Sequence, residues 1–123
     1  MSHIERHAVS VTTDASGNAT AYSPVLTGKI NSITYAKTDF TDGVDFTITG
    51  EATGQTIWTE SNVNASKTVA PRQPTHGQDG TASLYAAGGE PVEDKIALAN
   101  DRVKIVIAQG GNTKSGTFYI TVE

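Results

Sequence analysis

The sequence contains no cysteine, which excludes disulfide bonds and thiolate metal sites. Charged residues are also scarce, at 18% of the chain, and the formal net charge is -4 at pH 7. Because nucleic acids and anionic membranes attract basic surfaces, we expect neither to be a partner. No stretch approaches the roughly 18 consecutive apolar residues of a membrane-spanning helix. The opening residues, MSHIERHAVSV, contain no apolar secretion signal, so we expect synthesis in the cytoplasm of the host cell.

Helical periodicity is absent as well, and a strand pattern takes its place. The pattern is clearest in VDFTITGEATGQTIWT, residues 44–59, where Val44, Phe46 and Ile48 alternate with polar residues. Turn-forming residues follow, and a β-branched return segment carries the only tryptophan, Trp58. This stretch predicts a central hairpin. Other strands must cover its apolar face, because an isolated hairpin is only marginally stable in water.

Eight or nine short segments have strand character and are separated by turn-forming residues. The turn cluster at residues 14–18 predicts a hairpin between the first two strands, and Gly110-Gly111-Asn112 predicts another between the last two. The predicted strands are residues 7–13, 19–22, 28–37, 44–49, 56–59, 63–69, 96–99, 102–108 and 116–122.

One strand, residues 28–37, has a break in its alternation. Ile30 and Ile33 cannot share a face of a regular strand, which predicts a β-bulge near Asn31-Ser32. With 123 residues, the chain has the length of one domain. We therefore predict a flexible N-terminal arm at residues 1–6. An all-β domain follows at residues 7–123, an antiparallel β-sandwich of jelly-roll-like form.

A long irregular loop is predicted at residues 70–91, which hold three of the four prolines and four of the twelve glycines. Leu84 and Tyr85 within it favour docking on a partner, since a fully solvated loop does not need them. Arg72, held beside Pro71, has two interpretations: an anchor for a partner carboxylate, or a solvated loop residue.

Metal binding has two candidate sets of ligands. Asp39, Asp42 and Asp45 crowd one loop and could bind calcium, but the EF-hand pattern is absent and Asx turns before a strand are the favoured explanation. His3, His7 and His76 could form a zinc site, against the alternative of free surface histidines. We expect no cofactor.

Aromatic and acidic residues raise two further alternatives. Trp58 with Tyr22 and Tyr35 could form a sugar-stacking platform, or Trp58 could be half-buried beneath the long loop. A carboxylate pair suited to hydrolysis would require convergence of acidic residues in space. The candidates are Glu51, Glu60, Glu90 and Glu93. No nucleophile motif or phosphate-binding loop is present, so we expect a protein that is not an enzyme.

Three stretches carry a resemblance to a known family. They are ITYAKTDFTDGVDFTITGEATGQTIWTESNVNAS, the APRQPTHGQDG loop, and ALANDRVKIVIAQGGNTKSGTFYITV, within residues 28–122. In these the chain resembles small proteins encoded beside capsid genes of tailed phages and prophages. The resemblance implies a virion protein that decorates the capsid surface and stabilises contacts between capsomers. Its implied partners are the major capsid protein and further copies of the chain, as a dimer or trimer.

The contact residues follow from the composition of the predicted arm and loop and are not implied by the resemblance. Strand addition through the polar segment Val63 to Val69 is a further contact mode. The alternative functions are a carbohydrate- or receptor-binding module of a tail or fibre, and a ring-forming head-completion or tail-tube component. The residues assigned to capsid or subunit contact are Arg6, Trp58, Arg72, Gln73, His76, Leu84 and Tyr85.

Overall fold

The computed structural model describes residues 4–123 and consists of antiparallel β-sheets. Among these residues no helix has the length and apolarity needed to span a membrane. The strands are β1 (Glu5–Thr12), β2 (Ala19–Tyr22), β3 (Leu26–Lys37), β4 (Val44–Gly50), β5 (Thr56–Val63), β6 (Lys67–Val69), β7 (Arg72–Pro74), β8 (Glu93–Lys95), β9 (Ala97–Asp101), β10 (Val103–Ala108) and β11 (Ser115–Val122).

A five-stranded layer and a four-stranded layer form the body of the molecule. One layer has the strand order β1-β11-β3-β6, with β9 pairing along the first part of β3, and the other has the order β2-β10-β4-β5. The chain repeatedly crosses from one layer to the other, and apart from the consecutive pair β4 and β5, neighbours in each layer are not consecutive in sequence. This is the strand order of a jelly roll, so the predicted all-β sandwich is confirmed.

The core lies between the two layers and follows the alternation of the strands. In the first layer Phe118 and Ile120 are fully buried, and in the second Phe46 and Ile105 lie opposite them. The Phe46 ring meets the Phe118 ring edge-on, with centroids 5.2 Å apart, so these aromatic rings join the layers.

The central hairpin is present as predicted, because β4 pairs with β5. The predicted bulge is also present. Thr121 pairs with Ser32 but Val122 pairs with Ile30, which leaves Asn31 as the extra residue. The bulge lets Ile30 and Ile33 both turn inward, and neither is exposed.

Both predicted terminal hairpins are wrong. β1 pairs with β11, whereas β2 pairs with β10 in the opposite layer, and the same division separates β10 from β11. The turns themselves exist, but they carry the chain between layers. They also meet at one end of the sandwich, where the amide of Gly110 donates to the carbonyl of Gly17 at 3.0 Å.

Some boundaries differ from the prediction. β1 begins at Glu5, so Arg6 belongs to a strand rather than to the predicted arm, and residues 1–3 lie outside the described part of the chain. Val63 ends β5, and the predicted edge strand at residues 63–69 shrinks to β6, three residues long. The predicted loop is more regular than expected, because β7 and β8 pair at its base.

Candidate functional site

The segment from β7 to β8, here called the 72–95 hairpin, departs from the sandwich and is fixed at its base. The Arg72 guanidinium Nη1 donates to the carbonyl oxygen of Asn31 at 3.2 Å and to that of Pro71 at 2.8 Å. Gln73 Oε1 accepts from Gln55 Nε2 at 2.6 Å, and Lys95 forms an ion pair with Glu123. These contacts join the base to β3, to the β4–β5 turn and to the C-terminus.

Beyond the base, residues 75–92 form the tip of the hairpin, and main-chain hydrogen bonds order it. The Thr75 amide donates to Val92, the Val92 amide to Ser83, and the Ser83 amide to Thr75, at 2.8–2.9 Å. This ring of three bonds closes two small lobes. An isolated bridge between His76 and Ala82 defines one lobe, and a bridge between Leu84 and Pro91 defines the other.

The tip presents apolar surface to solvent. Leu84 is 41% exposed and Tyr85 is 76% exposed, and they are adjacent in sequence on the second lobe. His76, on the first lobe, is also exposed. The structure thus groups three of the predicted contact residues on the tip, while Arg72 and Gln73 lie at the base as intramolecular anchors.

Charge around this apolar pair has one sign. Residues 76–94 contain the acidic residues Asp79, Glu90, Glu93 and Asp94 and no lysine or arginine. Hydrogen bonds from Thr81 hold the pKa of Asp79 below its usual range. The amide nitrogen of Thr81 lies 2.9 Å from Oδ1 of Asp79, and a hydrogen bond to the charged carboxylate favours that form. The tip therefore carries two carboxylates, Asp79 and Glu90, beside the exposed Leu84 and Tyr85, and the adjoining strand β8 adds Glu93 and Asp94.

Trp58 does not belong to this surface. It is 7% exposed, and its ring packs edge-on against Phe46 with centroids 4.7 Å apart. A register shift in β5 sets Thr56 opposite Thr49 and Trp58 opposite Ile48, so Ile57 and Trp58 both turn inward. Tyr35 is also fully buried, so the hypothetical sugar platform of Trp58, Tyr22 and Tyr35 is wrong.

Arg6 is not part of the 72–95 hairpin. It sits on β1 with its guanidinium carbon 5.0 Å from the centre of the Tyr119 ring, a cation–π distance. A contact through Arg6 would therefore use the outer face of the first layer.

The candidate calcium ligands have other partners. Asp39 accepts from the amide of Ser115, Asp42 pairs with Lys37, and Asp45 accepts from the amide of Asn62. The first two contacts hold the loop after β3 against β11 and β3, and the third links β4 to β5. Within residues 4–123, no group of three His, Asp or Glu side chains comes together to hold a metal ion. Of the zinc candidates, His7 lies beside Glu5 and His76 lies on the tip, while His3 is outside the described residues.

The acidic residues considered for hydrolysis are divided among separate interactions. Glu51 pairs with Arg102, and Glu60 pairs with Lys67. A shallow depression over β2 and β10 contains Asp14 as its single carboxylate among the described lining residues, with Asn18, Thr20 and Val106 beside it. Acid–base hydrolysis of a glycoside requires two carboxylates at such a place.

A polar cluster that the sequence analysis missed lies at one end of the second layer. Asp101 is 7% exposed and accepts from the amides of Ala52, at 3.0 Å, and Arg102, at 2.7 Å. The Arg102 guanidinium lies 4.2 Å above the Tyr22 ring while it pairs with Glu51. Asn100-Asp101 predicted only a turn, because nothing local in the sequence reveals partners about fifty residues away.

No protein-family model, curated protein or solved structure matches this chain.

Proposed function

We propose that this protein is a structural virion component that binds the outer surface of a tailed-phage capsid and stabilises the contacts between capsomers. The observation that carries the proposal is the ordered 72–95 hairpin, which presents Leu84 and Tyr85 beyond a densely packed jelly roll. The family resemblance supplies the virion context.

The shape of the hairpin suits binding with a small loss of entropy. Its tip is already closed by backbone hydrogen bonds, and Arg72 and Gln73 hold its base against the sandwich. Ordering a flexible loop on a partner costs affinity, and a preformed hairpin avoids much of that cost. An exposed tyrosine is the kind of residue that anchors an interface, and the leucine beside it adds apolar surface that a partner can bury.

The charge of the tip specifies the chemistry of the partner surface. Residues 76–94, on either side of Leu84 and Tyr85 in sequence, contain four carboxylates and no lysine or arginine. The complementary capsid surface is an apolar recess with a basic rim. Opposite charges across an interface accelerate association and select partners, and salt weakens this effect.

The test is a sedimentation assay with DNA-filled and empty heads of the tailed phage whose genome encodes the chain. We expect saturable co-pelleting at a fixed number of copies per capsid protein and a higher melting temperature of the heads. Replacing both residues, Leu84→Ser with Tyr85→Ser, should abolish co-pelleting without unfolding the protein.

Val25→Ser is the matched control, because Val25 is 57% exposed but lies outside the hairpin. It should bind like the unmodified protein. Absence of co-pelleting by the unmodified protein would refute the proposal. Equal binding by the Leu84→Ser, Tyr85→Ser variant would refute the role of the tip.

A further inference from the structure

Among the strands of residues 4–123, β1 leaves a long, regular sheet edge without a neighbouring strand. The other edge strands are short or irregular: β2 has four residues and β6 three. β5 contains two register shifts and a left-handed residue, Asn62, with φ of 57°. β1 runs for eight residues in unbroken register with β11. Proteins blunt exposed edges with short strands, bulges, lysine or proline, and β1 uses none of these devices between residues 7 and 12.

The outward-facing backbone groups of β1 can be identified. The Thr13 amide donates to the Lys114 carbonyl at 2.8 Å, which continues the β1–β11 ladder by one pair. Hydrogen-bonded pairs alternate along an antiparallel ladder, so the odd-numbered residues of β1 bond to β11. The even-numbered residues direct their amides and carbonyls away from the sheet. Within residues 4–123, no other strand pairs with that side of β1. The outward residues are Arg6, Ala8, Ser10 and Thr12.

We propose that β1 pairs antiparallel with β1 of a second copy of this chain, about a two-fold axis at Val9. In this register Arg6 lies opposite Thr12 of the second copy, and Ala8 lies opposite Ser10. All four outward residues are used at once, in four hydrogen-bonded pairs. The result is a symmetric dimer in which the two β1-β11-β3-β6 layers become one continuous sheet.

A second copy fits this edge because the edge complements itself. The pairs nearest the axis are Ala8 and Ser10, whose small side chains let the backbones approach. Arg6 meets a threonine, and no like charges lie opposite each other. An isologous contact of this kind closes at two subunits, which prevents further growth along the edge. The proposal stands independently of capsid binding.

The first test is the mass of the full chain in solution by light scattering after gel filtration. We expect about twice the monomer mass of 12.9 kDa, falling toward the monomer on dilution. Ser10→Pro removes an outward amide while sparing the bonds to β11, and should shift the protein to the monomer. Ser10→Ala keeps the amide and should remain dimeric. A monomer at all concentrations would overturn the proposal.

The second test reads the register by cross-linking and does not depend on folding of the proline variant. The chain has no cysteine of its own, so Ala8→Cys and Ser10→Cys variants each introduce a single thiol. Directly opposed strand residues lie at a separation that a disulfide can bridge. After oxidation, the mixed variants should form an Ala8→Cys to Ser10→Cys dimer, while each variant alone stays largely uncross-linked. Equal cross-linking of either variant alone would overturn the register.

The outcomes separate this inference from the proposed function. Dimers that do not pellet with heads would support the β1 contact and refute capsid binding. Monomers that pellet normally would do the reverse.

Discussion

Arg72 donates a hydrogen bond to the carbonyl of Asn31, the extra residue of the β3 bulge, at 3.2 Å. A bulge leaves a residue outside the regular ladder, and here a side chain from the 72–95 hairpin reaches it. The bulge and the hairpin are thereby coupled, although 41 positions separate the two residues in sequence.

The first prediction concerns this coupling. Arg72→Ala should lower the free energy of unfolding by about 1.5 kcal/mol, because hydrogen bonds from a charged donor are lost. Amide exchange at Gln73 and Asp94, which pair at the hairpin base, should accelerate. Arg72→Lys retains the charge but lacks the planar guanidinium, so its free energy of unfolding should lie between those of the unmodified protein and Arg72→Ala. Unchanged amide exchange in Arg72→Ala would show that the base does not depend on this bond.

The second prediction concerns the packing of Gly116 against Phe40. A methyl group at residue 116 would lie 2.5 Å from Phe40 Cε2, and that ring is fully buried. Gly116→Ala should therefore destabilise by about 1–3 kcal/mol, the usual cost of overpacking. Gly77→Ala is the control, because its methyl group would meet only the side chain of Asp79, at 3.4 Å, and a backbone oxygen at 4.0 Å. In thermal melts, Gly116→Ala should have a lower melting temperature than Gly77→Ala. Equal melting temperatures of the two variants would contradict the prediction.

The third prediction concerns the phenol of Tyr35. Its oxygen is buried and has no hydrogen-bond partner among the described residues, while its ring packs against Phe46 and Phe118. Tyr35→Phe keeps the ring and removes the unsatisfied group, so it should stabilise the fold by up to about 1 kcal/mol at pH 7. Urea denaturation measures this, with Tyr119→Phe, on the outer face, as the control. A loss of stability in Tyr35→Phe would point to an unseen partner for the hydroxyl.

The stability difference between the unmodified protein and Tyr35→Phe should also depend on pH in the alkaline range. Burial, with a smaller contribution from Asp42, raises the pKa of Tyr35 above its usual 10.0. The unfolded chain therefore releases this proton first, and stability declines as the pH rises above 10. The amount by which Tyr35→Phe exceeds the unmodified protein in free energy of unfolding should therefore increase as the pH rises above 10.

Local alternation was enough to find the strands. Val44, Phe46 and Ile48 are buried as their spacing indicates, and all nine predicted strands are present, with β7 and β8 in addition. The sheet to which each strand belongs could not be read in this way. The Asp14 turn exists, with its carboxylate accepting from the amides of Ser16 and Asn18, but it leads to the other layer. That choice depends on β10 and β11, about ninety residues away.

For the candidate site too, the sequence indicated the environment of some residues, while that of others depends on the fold. Leu84 and Tyr85 are exposed as their place among prolines and glycines suggests. Trp58 is buried because a register shift places Ile57 and Trp58 on the same side, and simple alternation does not contain that shift. Arg72 was expected to meet a partner or solvent, and it instead binds the backbone of a bulge whose position in space only the fold determines.

The last prediction concerns Glu51 and its two-point contact with Arg102, whose Nη2 lies 2.6 Å from Glu51 Oε1. The hydrogen bonds from Arg102 hold the pKa of Glu51 below its usual 4.5. A lowered carboxyl pKa stabilises the fold above the unfolded value and loses that contribution as the pH falls through the folded value. Glu51→Gln should therefore lower the melting temperature slightly at pH 7, and the difference should shrink below about pH 4.5. In an Arg102→Ala background this pH-dependent difference should vanish, whereas a difference that stays constant from neutral to acid pH would exclude the ion pair as its source.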